Sequence, residues 1–144
     1  MKTVLRGHPV VGGVARGAAI VAGKAFAFSH GVDPATGIVT DVRHELNGKK
    51  ITGRILVYPY GRGSSTGDLW MLETTRCGNA PAAIVNIETE PITVSGAILS
   101  KMVYGKEIPI VDKLDKNPIE VIMTGDYVMV DGTLGVVEIL ERER

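Results

Sequence analysis

The sequence predicts a single α/β domain spanning residues 1–144. Three observations point there. The chain has 144 residues, 44% of them hydrophobic. At that size a domain buries roughly 68–70% of the surface its unfolded chain exposes, so no disulfide or metal is needed to hold it. Short aliphatic and β-branched runs alternate with two helical stretches in the middle of the chain. Eighteen glycines punctuate those runs, as short strands and tight turns require.

The elements follow in order. Strands are predicted over residues 18–22 and 25–28, after a cluster of early glycines. Residues 31–37 read as a turn, in which Asp33 organises the chain, Pro34 fixes φ and Gly37 accepts a positive φ. Residues 51–58 read as a strand that ends at Pro59. A helix is predicted over 69–76, with Gly78 as its stop. Residues 82–87 form a short apolar strand. Pro91 opens a second helix covering 95–103, stopped by Gly105. A third apolar strand covers 108–111. Strand, helix, strand, helix, strand implies parallel pairing. Residues 127–130 and 136–140 make a closing hairpin around the turn 131–133, and 141–144 is a solvated tail.

Composition excludes several functions. Sixteen basic and sixteen acidic residues cancel, which argues against a nucleic-acid partner held by phosphate contacts. Aromatics at 5% offer little for base stacking. One cysteine, Cys77, excludes an internal disulfide framework. It also cannot hold a structural zinc or an iron–sulfur cluster, which need three or four ligands. His8, His30 and His44 show no ligand spacing. No metal site is therefore expected in this chain, and any metal chemistry needs ligands from another chain. Arg6 and Arg16 interrupt the apolar N-terminal stretch, so no secretory signal is read. No run reaches the roughly 20 apolar residues of a membrane span. The expectation is a soluble, cytoplasmic protein with no membrane partner.

Charge is uneven along the chain. Residues 1–72 carry nine basic and four acidic side chains, and residues 73–144 carry seven and twelve. The plain expectation is mutual complementarity within the fold. The sharper one is a positive face for an anionic substrate or an acidic partner.

The segment that carries chemistry is Gly61-Arg62-Gly63-Ser64-Ser65-Thr66-Gly67-Asp68, between a predicted strand and a predicted helix. Its glycines let backbone approach a ligand closely. The helix that follows offers N–H groups and a positive dipole end, which favour an anion. The same partial charge favours a serine alkoxide. Ser65-x-x-Asp68 fits a capping box, so Ser65 reads as the helix cap. One cap does not need two serines, which leaves Ser64 for another role. The loop is not a Walker loop, since no Gly-Lys-Ser/Thr follows. A Ser-His-Asp hydrolase is also excluded, because no histidine lies beyond residue 44.

Residues 28–37, Phe-Ser-His-Gly-Val-Asp-Pro-Ala-Thr-Gly, resemble the opening motif of the aconitase X small subunit family. His44-Glu45-Leu46-Asn47-Gly48 and Gly53-Arg54-Ile55-Leu56 continue the resemblance. Gly61-Arg62-Gly63-Ser64-Ser65 is similar to the family's active-site loop. Ala80-Pro81-Ala82-Ala83-Ile84, Glu90-Pro91-Ile92, Gly96-Ala97-Ile98 and Ile108-Pro109-Ile110-Val111-Asp112 follow in order. The ordered set covers most of the chain.

The resemblance implies a swivelling β/β/α domain that closes over a large subunit, forming a heterodimer. It implies an iron–sulfur cluster, of 4Fe-4S type, held by that large subunit and not by this chain. It implies a hydro-lyase active only with its partner, with Ser64 as proton acceptor. Gly63, Ser65, Thr66 and Arg62 would then contact an anionic small molecule. Separate archaeal small subunits of the family imply dehydration of (R)-5-phosphomevalonate to trans-anhydromevalonate 5-phosphate. Fused relatives imply cis-3-hydroxy-L-proline instead. True aconitases carry an arginine where Thr66 stands, so a tricarboxylate substrate is not implied. Outside the loop, His30 and His44 read as turn or interface residues. Glu88, Glu90 and Asp112 read as interface or loop residues, Cys77 as a small core residue, and Met71 and Leu72 as core. The closing hairpin also resembles that of phosphohistidine carrier domains, but those carry a histidine in the loop where this chain has serines. A non-catalytic swivel adaptor is the remaining alternative.

Overall fold

The computed structural model describes residues 3–62 and 65–142. Its strands are β1 (Thr3–Arg6), β2 (His8–Val11), β3 (Val14–Val21), β4 (Ile55–Tyr58), β5 (Ala83–Asn86), β6 (Ile110–Asp112), β7 (Tyr127–Asp131) and β8 (Val136–Glu141). The helices are α1 (Gly67–Arg76), α2 (Pro91–Tyr104) and α3 (Pro118–Val121). The strands form one sheet in the order β1-β8-β7-β3-β4-β5-β6-β2. Pairing is parallel across β3, β4, β5 and β6, as the alternation of strands and helices predicts. On either side it is antiparallel.

The parallel strands are buried on both faces, and alternate residues enter two different cores. Leu56, Tyr58, Ile84 and Ile110 join a core with Met71 of α1 and Ala97 of α2. Ile55, Val57, Ala83, Val85 and Val111 join a second core with Leu5, Val128, Val130, Val137 and Ile139. The antiparallel strands β1, β7 and β8 therefore curl over the second face, while α1, α2 and the edge strand β2 pack on the first. This is the β/β/α layering implied by the resemblance. Each fully buried aliphatic side chain contributes about 1.5–3 kcal/mol, so loss of either layer would unfold the chain.

α1 and α2 touch through small groups. A Cβ on Gly96 would stand 2.8 Å from Met71 Sδ, and Thr75 Oγ1 meets Ser100 Oγ at 2.8 Å. α2 ends where expected: Gly105 takes φ +68, and its N–H closes on Lys101 O. A side chain would resist that left-handed conformation.

The structure corrects three expectations. Residues 25–28 are not a strand, because pairing is confined to one bridge, Phe26 to Gly61. The following backbone turns at once, with Gly31 N donating to Phe28 O. Residues 51–54 belong to a turn closed by Arg54 N on Ile51 O, so β4 starts at Ile55. The edge strands β1 and β2 and the short α3, capped by Asn117, stand where no distinct element was expected.

Residues 22–54 connect β3 to β4 without a helix, yet they are anchored. Phe26, Phe28, Val32, Val39, Leu46 and Ile51 all enter the first core. Asp33 organises its turn as expected, accepting from Ala35 N at 3.0 Å and Thr36 Oγ1 at 3.1 Å. This excursion supplies one wall of the site.

Candidate functional site

The Gly-rich loop leaves β4 and enters α1 at the carboxyl ends of the parallel strands, where open α/β sheets place their ligands. Its root is fixed on one side by the excursion. Phe26 N donates to Tyr60 O, and Arg62 N donates to Phe26 O, both at 3.0 Å. Gly63 and Ser64 lie outside the described residues, so the expected base and one expected contact have no structural account.

The other loop residues are placed. Ser65 and Thr66 are both exposed. Ser65 is not the helix cap: the N-cap position belongs to Thr66, one residue later. That shift takes Ser65 and Asp68 out of capping-box register, since a box pairs the N-cap with the third helical residue. Asp68 instead accepts from Leu69 N at 2.8 Å. Thr66 makes no side-chain cap bond, and its Oγ1 lies 2.5 Å from Ser29 Oγ. Two neutral hydroxyls thus stand beside the positive end of α1.

Arg62 is half-exposed, and its Nη2 meets Asp41 Oδ2 at 2.6 Å. The Asp41 carboxyl is held below its usual range. The bond from Arg43 N is the largest cause, and the Arg62 guanidinium adds to it. Arg62 is therefore oriented by the excursion, and an anion would share it with Asp41 or use its remaining donors.

Beside the loop, His30, Pro34, Thr66, Leu69 and Trp70 line an open, largely apolar groove. Trp70 Nε1 donates to Val32 O at 2.6 Å. The His30 ring lies 4.5 Å from the Trp70 ring, on a backbone with φ +58. Side chains rarely adopt that conformation away from special sites. His30 is thus an exposed turn residue, the first of the two readings, turn or interface, that the sequence offers.

His44 is different. It is 7% exposed, its Nδ1 accepts from Leu46 N at 3.0 Å, and its Nε2 is buried with no hydrogen-bond partner among the described residues. Its ring packs edge-on to Phe26, so it braces the excursion from inside.

Sequence reasoning undervalued Glu90 and Asp112. Glu90 is the N-cap of α2, accepting from Ile92 N at 2.7 Å and Thr93 N at 2.8 Å. It also accepts from Thr93 Oγ1. The signal was present, because Pro91 at the first helical position makes Glu90 the cap. Asp112 is buried, accepts from Thr89 N at 3.0 Å and faces His8 Nδ1 at 3.3 Å. Cys77 is half-buried at the C-cap of α1 rather than in the core. Ion pairs fall both within and across the two charge halves: Arg62–Asp41, Arg76–Glu73, Lys101–Glu107 and Arg142–Asp126 each join residues of one half, and His8 faces Asp112 across them.

The described residues offer nothing that fits an iron–sulfur cluster. They contain no group of three or more His, Cys, Asp or Glu placed for a metal. Cys77, the one thiol of the sequence, closes the far end of the ten-residue α1, about 15 Å from the loop at 1.5 Å per residue. No helix among the described residues is long and apolar enough to cross a membrane.

A family model described as the aconitase X swivel domain matches residues 4–139. The chain is 44% identical over 135 residues to the phosphomevalonate dehydratase small subunit of Methanocella arvoryzae, covering 94% of this chain and 98% of that protein. It is 43% identical over 137 residues to the protein of the same name from Thermococcus kodakarensis, covering 95% and 96%. The fold is similar to the crystal structure of Thermococcus kodakaraensis aconitase X in its holo-form. There the TM-score is 0.87 and the identity 42%, covering 96% of this chain and 99% of that one. It is also similar to the solution NMR structure of a UPF0107 protein, with a TM-score of 0.82 and 37% identity, covering 98% and 100%.

Proposed function

The chain belongs to the aconitase X swivel domain family, and from that premise we propose that it is the small subunit of a two-subunit dehydratase that acts on (R)-5-phosphomevalonate. Relatives of that name, 43–44% identical over nearly their whole length, carry the reading. The strand–Gly-rich loop–helix unit at the carboxyl edge of the sheet supports it.

In this reading the large subunit covers the loop and its apolar groove, and holds the iron–sulfur cluster, for which the described residues of this chain place no ligand group. This chain supplies the base. The substrate has a carboxylate, a neighbouring CH₂ and a 3-hydroxyl. Ser64, as its alkoxide, takes a proton from the CH₂ carbon. The electron pair of that C–H bond becomes the new C=C bond, and the 3-hydroxyl departs on the partner's side. The product is trans-anhydromevalonate 5-phosphate.

A free serine hydroxyl is a poor base near neutral pH. The positive end of α1 favours its ionised form, and closure against the partner excludes water that would compete for the charge. Arg62, Gly63, Ser65 and Thr66 bind the anionic substrate around it. Thr66 offers a hydroxyl where a second guanidinium would suit a third carboxylate.

The test is anaerobic co-expression with the large subunit, followed by assay of (R)-5-phosphomevalonate dehydration. Ser64→Ala should lower kcat by about 10³-fold, within the range of a lost general base, with assembly and cluster content unchanged. A Ser64→Ala pair as active as the wild type would remove the serine from the chemistry. Activity on cis-3-hydroxy-L-proline alone would keep the mechanism and replace the substrate.

A further inference from the structure

Both ends of the serine loop rest on the first turn of α2. At the entry, a Cβ on Gly61 would stand 2.8 Å from Glu90 Cγ and 2.9 Å from Glu90 Oε1. At the exit, a Cβ on Gly67 would stand 3.1 Å from Ile92 Cγ2. Between these contacts lies a small cavity lined by Phe26, Phe28, Arg62, Gly67, Glu90 and Thr93. Glycine at 61 is thus explained by a neighbour in another element, not by a turn.

Glu90 is itself held firmly. Its two carboxylate oxygens accept from Ile92 N, Thr93 N and the Thr93 hydroxyl. Charge-assisted bonds of this kind are short and strong. The loop root is thereby gripped from two sides: by the backbone of Phe26 and by the fixed side chain of Glu90. Capping alone would not require glutamate, since aspartate caps helices at least as well. What glutamate adds is a longer arm, and that arm lies against Gly61.

We propose that Glu90 is a positioning residue for the reaction: its carboxylate, anchored on the N-terminus of α2, sets the height and direction of residues 61–62 and so aims the serine loop. The proposal rests on the reading of residues 61–66 as the catalytic loop. It assigns Glu90 no contact with substrate. A misplacement near 1 Å at a reacting group is enough to lower rates by about 10²-fold.

Four variants of the assembled two-subunit enzyme test this: Glu90→Asp, Gly61→Ala, Glu90→Ala and the Gly61→Ala/Glu90→Ala double. Glu90→Asp keeps an N-cap and shortens the arm. It should lower kcat about tenfold, leave KM within about twofold, and hold Tm within a few degrees. Hydrogen exchange of residues 60–62 should quicken in the same variant. Gly61→Ala drives a methyl into Glu90 and should lower kcat about 10²-fold. Adding Glu90→Ala to Gly61→Ala vacates the clashing atoms, so the double variant should exceed the product of the two single effects by about tenfold.

An unchanged kcat and unchanged exchange in Glu90→Asp would overturn the proposal, as would strictly multiplicative losses in the double variant. The serine's role is judged separately. If Ser64→Ala is fully active while Glu90→Asp still quickens exchange and lowers kcat, the seat stands and the serine is not the base.

Discussion

α1 and α2 leave the same edge of the sheet, after neighbouring parallel strands, and their N-caps are finished in different ways. α2 begins with an extended Glu90, whose carboxylate accepts from two of its first N–H groups, followed by Pro91. Its positive end is neutralised by its own chain. α1 begins at Thr66, with no side-chain cap bond to the helix and a neutral hydroxyl pair beside it. Asp68, in its first turn, accepts from one of the helix's own first N–H groups, that of Leu69. The difference separates two uses of one motif. A helix end closed by a carboxylate is a rigid platform, whereas one opened by a Gly-rich loop can stabilise charge on a bound or reacting group.

The platform has a buried tyrosine beneath it, and alkali is the strongest way to break it. Tyr58 is fully buried, and burial pushes its phenol up to about 12 despite side-chain bonds with Thr93 and Asn86. In the unfolded chain the phenol titrates near 10. The folded value is raised, so this contribution is complete below pH 10 and is lost as pH rises through about 12. Urea unfolding between pH 10 and 12 should show stability falling by about 2–3 kcal/mol from this group. Tyr58→Phe should flatten that limb, and an unchanged limb would place the titration elsewhere.

A smaller effect tests the cap itself. Glu90→Ala removes the acceptor for Ile92 N and Thr93 N, and should lower unfolding free energy by about 1–2 kcal/mol in urea titrations at pH 7. A loss near zero would mean that water closes α2 as well as the carboxylate does, and the contrast between the two helix ends would collapse.

How far the contrast was readable from sequence depends on the range of the interactions behind it. The Asp33 turn, the Gly105 stop, the central strand–helix alternation and the closing hairpin were legible because each is decided within a few residues. Residues 25–28 were misread as a strand because phenylalanine favours strands generally, while tertiary contacts here allow one bridge. The edge strands β1 and β2 pair with β8 and β6, far along the chain, and carry too little local pattern to stand out. At the site, the motif marked the loop. The role of Glu90 was hidden because Pro91 reveals only that a helix starts, whereas the contact with Gly61 exists only after folding.

Ser65 is where the misplaced helix start matters, and it gives the smallest predicted effect. A serine that caps a helix is worth about 1 kcal/mol over alanine. Here the N-cap is Thr66, Ser65 is exposed, and Asp68 is not in box register. Ser65→Ala should therefore change unfolding free energy by less than about 0.5 kcal/mol, the ordinary range for a surface substitution. Set beside Glu90→Ala in the same urea titration, it measures the asymmetry directly. A loss for Ser65→Ala as large as that for Glu90→Ala would mean that α1 is closed by its own serine in solution. The positive end assigned to the reacting group would then be occupied before any substrate arrives.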